Sequence, residues 1–309
     1  MAHEAVSETA FGIQGSGPLV GGAPDPGHFR RVARTAEEVG FDSLWAGDHV
    51  SFHHPLLDLT VALATFAAVT DRIAVGAGVL LLPLRAPALV ARELASIDYL
   101  SGGRVILGIG VGGESPKDFE AVGVPLRERG ARTDEAMVAL RRLFAGAPAS
   151  LDGRFSTFEE ISIEPAPTRP GGPPLWVGGR SDAAIRRAAT LGDGWLPLWV
   201  SPERFAQGLA AVRRQAGGRA CTAAVVLPSL AGGTVEEART YLSRRYGTEF
   251  SSHAIERYCL VGPPARCAER IAEYLAAGAE HVVLHPAVEP ARLLDQIELL
   301  AEVVDAAAR

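Results

Sequence analysis

The sequence predicts an α/β fold of the (β/α)8 TIM barrel class with insertion segments. Short runs rich in Val, Ile and Leu alternate with longer segments that repeat apolar residues at helical spacing. This alternation is typical of parallel strands buried on both faces between covering helices. The chain has 309 residues without a linker or a shift in composition, and barrels commonly use this length without dividing. We therefore predict one barrel domain over residues 1–309, in preference to an open doubly wound sheet.

The predicted elements alternate along the whole chain. Glycines end two of the helices, at Gly40 and Gly278, and prolines occupy first helical turns at Pro202 and Pro264, where a missing N–H is tolerated. The predicted strands cover 11–13, 43–47, 73–79, 105–109, 175–177, 194–198, 222–227 and 281–285. The predicted helices cover 27–39, 57–69, 87–100, 132–144, 182–191, 202–216, 265–277 and 290–308.

Two segments interrupt this alternation, at 146–174 and 230–258. The first alternates polar and aromatic residues at 155–158 and then becomes rich in proline, which predicts a hairpin-like insertion followed by a stiff loop. The second contains no recognisable motif. Long loops on a barrel are usually functional or interfacial.

Composition excludes several classes of partner. The formal net charge is -6, and no basic cluster is present that would attract nucleic acid. The segment from Met1 to Ala10 lacks the basic start and apolar run of a leader, so we expect a cytoplasmic protein. The longest apolar stretch, 73–82, is too short to span a membrane. The 3 cysteines are far apart, which predicts neither a disulfide framework nor a zinc site.

Glycines follow the fourth predicted strand in the run Gly108-Ile109-Gly110-Val111-Gly112-Gly113. The run matches the GxGxxG pattern, but a dinucleotide fingerprint belongs to the first strand-to-helix turn and needs a helix to open at once. Close backbone packing at the mouth of the barrel is the better interpretation. Glycines there also let backbone N–H groups approach an anion or a flat ring.

A second glycine turn, Gly178-Gly179-Arg180-Ser181, joins the fifth strand to a helix that begins near Asp182. Backbone N–H groups, the helix N-terminus and a guanidinium converge there, which fits a phosphate. A plain glycine turn with Ser181 as the N-cap fits equally well.

Titratable side chains follow the second and fourth strands. Asp48 and His49 come directly after the second strand, and an imidazole at a strand end can exchange protons near neutral pH. Together with His53 and His285 they could in principle ligate a metal, but no second ligand cluster is visible, so we predict no metal. Glu114, after the glycine run, could act as an acid or contact a ring nitrogen.

Large aromatic side chains fall within or just after the predicted strands. In such positions their rings can form the wall of an apolar pocket, although core packing explains Trp176 equally well. These residues are Trp45, Trp176, Trp195 and Trp199.

Taken together, these motifs resemble the luciferase-like monooxygenase superfamily, which includes flavin-dependent monooxygenases and oxidoreductases that use the deazaflavin coenzyme F420. Their order and spacing along nearly the whole chain make the resemblance specific. The segments that carry it are 36–45, 48–49, 72–79, 100–113, 128–129, 174–179 and 193–195.

The resemblance implies roles for particular residues. It implies a cis peptide bond between Gly78 and Val79 against the cofactor ring, and it places His49 near the reactive ring as a proton donor or acceptor. A glutamate beside the fourth-strand glycines does acid work in some relatives, and Glu114 stands one position later. The remaining residues assigned to the cofactor are Asp48, Val111, Gly112 and Gly113, with Gly178, Gly179 and Arg180 assigned to its phosphate.

The resemblance also implies a function. We expect an F420-dependent oxidoreductase that transfers hydride between the deazaflavin and a small organic substrate. The alternatives are an FMN-dependent monooxygenase, in which the site shields an oxygenated flavin from water, and a non-catalytic barrel subunit. The helix faces at 57–69 and 87–100 could form the interface of a homodimer.

Overall fold

The computed structural model describes residues 9–308, in which eight parallel strands close into a barrel. The ring is closed because β11 pairs with β1 and because β9 pairs with both β8 and β11. This confirms the predicted (β/α)8 barrel. The barrel strands are β1 (Ala10–Ser16), β2 (Ser43–Ala46), β3 (Ala74–Leu81), β4 (Val105–Gly110), β7 (Leu175–Gly178), β8 (Gly194–Leu196), β9 (Thr222–Ala231) and β11 (His281–Pro286).

Eight helices lie close to their predicted bounds. The largest differences are at α5, which begins three residues earlier than predicted, and at α11, which is preceded by a short 3-10 turn, Pro290–Arg292. These helices are α1 (His28–Glu38), α2 (Leu59–Val69), α3 (Pro87–Leu100), α5 (Arg129–Leu143), α6 (Asp182–Leu191), α7 (Pro202–Ala216), α10 (Pro264–Ala276) and α11 (Leu293–Ala307).

Aromatic side chains fill the interior of the barrel below the carboxyl ends of its strands. The Trp45 and Trp176 rings lie 5.6 Å apart, and the His281 ring packs against both. Ser43 Oγ accepts a hydrogen bond from Trp45 Nε1 at 2.7 Å and lies 2.7 Å from His281 Nε2. Burial lowers the pKa of His281 to about 4, so this imidazole is neutral. The interior is a packed core, and the space for chemistry lies at the carboxyl ends of the strands.

The first insertion forms an antiparallel hairpin of β5 (Ala149–Asp152) and β6 (Thr157–Ile161). Glu135 on α5 holds the turn of the hairpin, because its carboxylate accepts backbone N–H bonds from Arg154, Phe155 and Ser156.

The second insertion contains elements that the periodicity did not reveal. They are α8 (Val235–Tyr246), α9 (Ser252–Tyr258) and β10 (Leu260–Gly262), which pairs with the end of β9. Thr234 and Glu237 form a capping box at the start of α8, and Gly247 ends the helix in the left-handed conformation. Both signals are visible in the sequence. Trp199 stacks on Phe250 at 4.8 Å, which fixes the insertion over the end of β8.

Three further expectations concern membrane spans, the start of the chain and metal sites. Within residues 9–308 no helix is long and apolar enough to cross a membrane. Most of the segment from Met1 to Ala10 lies outside the described residues. No group of three or more His, Cys, Asp or Glu side chains in the described part of the chain could hold a metal ion.

Candidate active site

Strand β3 leaves the regular sheet at Gly78 and Val79. The peptide bond between them is cis, as the resemblance implies, and the register against β4 shifts between Ala77 and Leu80. Residues 75–77 are buried, whereas Gly78 and Val79 are partly exposed. The end of β3 therefore faces an opening at the mouth of the barrel.

The glycines of β4 make room for Val79. A Cβ on Gly110 would lie 2.4 Å from Val79 Cγ2, and a Cβ on Gly108 would lie 2.2 Å from the carbonyl oxygen of Ala77. A Cβ on Gly178 of β7 would lie 3.1 Å from Val79 Cγ1. Close packing of three strands around Val79 thus explains the first glycines of the GxGxxG run.

The last two glycines of that run form the turn after β4. Gly112 and Gly113 have φ values of +66° and +112°, which favour glycine. Val111, Gly112 and Gly113 are all partly exposed. The turn offers a partly exposed backbone surface beside Val79, which a flat ring could contact.

His49 is held at the mouth by a carboxylate that sequence reasoning missed. Its Nδ1 lies 2.8 Å from Oδ2 of Asp118, a fully buried residue, and its ring stacks on Phe52 at 4.1 Å. Asp118 Oδ1 accepts backbone N–H bonds from Val50 at 2.8 Å and Ser51 at 2.7 Å. A carboxylate on Nδ1 keeps the proton there, so that Nε2 is free to accept or donate another.

Asp118 lies on a short helix, α4 (Pro116–Ala121), that the sequence analysis did not predict. Ser115, which precedes the helix, donates a hydrogen bond from its Oγ to the carbonyl oxygen of Ser51 at 3.0 Å. The loop after β4 and the loop after β2 are therefore locked together. This explains how a residue 69 positions away from His49 orients its ring.

Asp48 is turned toward the protein. Its Oδ2 accepts the backbone N–H of Leu81 at 3.0 Å, and its Oδ1 accepts from the Arg85 guanidinium at 2.7 Å. The side chain is almost fully buried. Asp48 thus ties the end of β2 to the end of β3, so its contribution to the site is to position His49 and Val79.

The other two loop histidines contact the second insertion. His54 Nε2 lies 2.9 Å from the carbonyl oxygen of Arg244, and a Cβ on Gly247 would lie 3.2 Å from His53 Nε2. These contacts bring the insertion over the loop that carries His49.

Glu114, the candidate acid after the glycine run, lies close enough to His49 for the two side chains to interact electrostatically. The residue is exposed, but protein surrounds its carboxyl on the barrel side, and this desolvation raises its pKa; His49 and Arg245 act in the opposite direction. A carboxyl with a raised pKa keeps its proton closer to neutral pH and can serve as an acid.

Replacing Glu114 with Gln should make stability less dependent on pH. The folded pKa lies above the ordinary value of 4.5, so the wild type loses stability as pH rises from that value through the raised pKa, whereas Gln does not titrate. We expect the melting temperature of Glu114→Gln minus that of wild type to increase as the pH rises through this window. Above the window this difference should stay constant. Thermal unfolding of both proteins at a series of pH values measures it, and a difference that does not change with pH would contradict the raised pKa.

The turn after β7 keeps the N-cap and the free backbone N–H groups that the sequence suggested, but the Arg180 guanidinium does not converge on it as expected. Ser181 caps α6 through a hydrogen bond from the N–H of Ala184 at 3.3 Å, and Gly179 has a φ of +97°. Trp195 Nε1 donates to the carbonyl oxygen of Gly179 at 2.9 Å. The free N–H groups at the start of α6 remain suited to an anion.

Arg180 points away from this turn into a neighbouring cleft. Its guanidinium donates to the carbonyl oxygen of Trp199. The cleft is lined by three arginines, Arg180, Arg204 and Arg257, and by one glutamate, Glu203. All three arginines are exposed, and within residues 9–308 none of them forms an ion pair with a carboxylate. The cleft is therefore a positively charged extension of the Gly178–Gly179 turn.

The tryptophans divide between core and mouth. Trp45 and Trp176 belong to the lower layer of the barrel, and Trp195 stacks on Phe205 of α7 at 5.5 Å. Only Trp199 among the four reaches the mouth, where it packs against the second insertion.

The mouth of the barrel thus carries a partly exposed Val79, a glycine turn after β4 and a histidine held by a buried carboxylate. Residues 9–249 match the model of the luciferase-like monooxygenase family. The chain belongs to this family.

Relatives in the family are oxidoreductases. An uncharacterised protein of Mycobacterium tuberculosis is 34% identical over 66% of this chain and 77% of its own length. An F420-dependent glucose-6-phosphate dehydrogenase of Kineococcus radiotolerans is 33% identical over 55% of this chain and 52% of its own length.

Solved structures share the fold over nearly the full chain. An F420-dependent secondary alcohol dehydrogenase in complex with an F420-acetone adduct has a TM-score of 0.83 at 18% identity, over 97% of this chain and 99% of its own. The oxygenating constituent of 3,6-diketocamphane monooxygenase from Pseudomonas putida, in complex with FMN, has a TM-score of 0.76 at 17% identity, over 96% and 97%. Both F420 and FMN are thus named among these relatives and structural neighbours.

Proposed function

We propose that the protein is an F420-dependent oxidoreductase that exchanges hydride between the deazaflavin and a small organic substrate. The bound coenzyme would supply the hydride chemistry. The observation that carries the choice of F420 is the arginine cleft of Arg180, Arg204 and Arg257 beside the Gly178–Gly179 turn. F420 continues beyond its phosphate into a chain of carboxylates, whereas FMN ends at the phosphate. Arginines are well suited to bind such carboxylates.

The residues at the mouth fit the coenzyme and the chemistry. The partly exposed surface of Val79 and the turn of Val111, Gly112 and Gly113 would hold the ring, and the N–H groups after Gly178 would hold the phosphate. His49 Nε2 would take the hydroxyl proton of a substrate as it is oxidised, or return it during reduction. Asp118 keeps the ring of His49 oriented and supports its positive charge.

Charge reversal in the cleft tests the choice of coenzyme. We expect Arg257→Glu and Arg204→Glu to weaken F420 binding about tenfold each, because each places a negative charge against the carboxylate tail. The affinity of these variants for a tail-less deazaflavin, which is F420 without its chain of carboxylates, should stay within about twofold of the wild-type affinity. Quenching of deazaflavin fluorescence measures both affinities.

Arg213→Glu is the matched control on the same helix, because this exposed arginine pairs with Glu280 away from the cleft. Equal weakening of F420 and the tail-less form, or none, would remove the support for F420.

An FMN-dependent monooxygenase is the alternative, because the Gly178–Gly179 turn suits the phosphate of either cofactor. A non-catalytic subunit is less well supported, since the His49–Asp118 pair and the open mouth are both intact.

We also propose that two copies associate through α2 and α3. Helix α2 carries no charged residue, yet Val61 on its outer face is 59% exposed. On α3, Leu89 is 65% and Leu100 is 78% exposed. Apolar residues clustered on adjacent helices mark an interaction surface.

Sedimentation should show a dimer for the wild type and a monomer for the double variant Val61→Glu, Leu100→Glu. A buried pair of carboxylates without partners would disfavour association by several kcal/mol, on the order of 3–5. A monomeric wild type would contradict this interface.

A further inference from the structure

A small cavity lies where the ends of β1 and β11 meet helix α8 of the second insertion. Its volume is about 30 Å³, which is room for about two water-sized groups. Gln14, His28, Arg245 and His285 contribute its polar lining, and no lining residue is acidic.

Three buried nitrogen atoms at this cavity have no hydrogen-bond partner within residues 9–308. They are Nε of Arg245 and Nε2 of both His28 and His285, and each residue is 5–6% exposed. Buried polar atoms in proteins nearly always have partners. Three without partners around one cavity indicate a site for a ligand or for water.

Arg245 provides the positive charge of this cavity. Burial lowers the pKa of His28 and of His285, and Arg245 lowers that of His285 further, so both imidazoles are neutral and can donate through Nε2. Arg244, which precedes Arg245 in the chain, pairs with Glu289 at 2.9 Å. Arg245 forms no ion pair with an acidic side chain in residues 9–308. A buried guanidinium without an anion is unfavourable.

The chain makes space for this guanidinium. A Cβ on Gly17 would lie 2.8 Å from Arg245 Nη2, so any larger residue at that position would displace it. Helix α8 is also fixed in place, because Tyr246 packs against Trp199 at 5.8 Å.

Gln14 connects the cavity to the mouth of the barrel. Gln14 lines the cavity, and its Oε1 lies 3.4 Å from the position that a Cβ on Gly78 would occupy. A small molecule whose reacting carbon lies over Val79 could therefore extend one polar group past Gln14 toward Arg245.

We propose that this cavity binds a carboxylate of the substrate, with its charge on Arg245 and further hydrogen bonds from His28 and His285. The size suits two oxygen atoms, and a planar guanidinium matches a carboxylate. The substrate class is then a small hydroxy or oxo carboxylic acid. Its reaction rests on the proposed function, whereas the anion site does not.

Calorimetric titration without cofactor tests the site. The probes are 2-hydroxybutanoate, butane-1,2-diol and inorganic phosphate; the first two differ only in the carboxylate. We expect saturable binding of the acid at least tenfold tighter than that of the diol or phosphate. Arg245→Met should lose this preference, Arg245→Lys should retain part of it, and Arg244→Met should behave as wild type.

Thermal unfolding of the same variants provides a second readout. Because Arg245 is buried and forms no ion pair with an acidic side chain in residues 9–308, Arg245→Met should melt at a higher temperature than wild type, whereas a structural arginine would give a lower one. Tighter binding of phosphate than of the acid, no saturable binding of the acid, or unchanged binding by Arg245→Met would overturn the carboxylate site. Carboxylate binding in a protein that fails to bind F420 would leave this site standing and refute the proposed function.

Discussion

His49→Ala should slow turnover about 10²- to 10⁴-fold, the usual contribution of a general acid or base. The Nε2 atom of His49 is the free end of a histidine whose Nδ1 is fixed by Asp118 at 2.8 Å, so its removal deletes the proton acceptor at the mouth. F420 affinity should change less than about threefold, because the expected ring contacts come from Val79 and the β4 turn. Substrate-dependent reduction of F420 and fluorescence titration measure the two quantities.

His54→Ala is the matched control, because this neighbouring histidine contacts the carbonyl oxygen of Arg244 in the second insertion. Its turnover should remain close to wild type. If His49→Ala weakened F420 binding strongly and left turnover unchanged, His49 would be a binding group only.

Asp118→Asn should have the second largest effect, about 100-fold on turnover. The amide oxygen can still accept the N–H groups of Val50 and Ser51, but the amide N–H₂ then faces His49 Nδ1. The imidazole proton must move to Nε2, so that Nε2 can no longer accept a proton. We also expect a loss of about 1–3 kcal/mol in the free energy of unfolding from weaker buried hydrogen bonds.

Asp98→Asn separates these two effects. Asp98 is also fully buried and accepts a backbone N–H from Thr168 at 2.8 Å, with no contact to His49. Its variant should lose comparable stability with little change in turnover per folded molecule. Equal kinetic losses in both variants would show that Asp118 acts only through stability.

The fold could be predicted because each barrel element carries its own local signal. Buried strands such as 105–109 are short apolar runs between glycines, and helices such as 87–100 begin with proline and repeat apolar residues. The second insertion was predicted at 230–258, but its helices were missed, because they pack on a small separate core around Leu242 and Ile255. Only the Thr234–Glu237 capping box and Gly247 indicated α8.

The site could be predicted in part, because some of its residues belong to barrel elements that carry a local sequence signal. Residues at strand ends, such as His49 and Val79, have positions fixed by the barrel. Asp118 and Arg245 could not be found, because each lies on a helix outside the strand-helix alternation of the barrel. Their roles depend on contacts across long stretches of chain. Asp48 was assigned to the cofactor from the sequence, but both of its carboxylate oxygens accept hydrogen bonds from Leu81 and Arg85.

Parallel titration of the wild-type protein with F420 and with FMN tests the central claim most directly. The arginine cleft beside the Gly178–Gly179 turn predicts saturable F420 binding at least tenfold tighter than FMN binding, a difference of about 1.4 kcal/mol. Tight binding of FMN without measurable binding of F420 would contradict the proposed function and favour the monooxygenase.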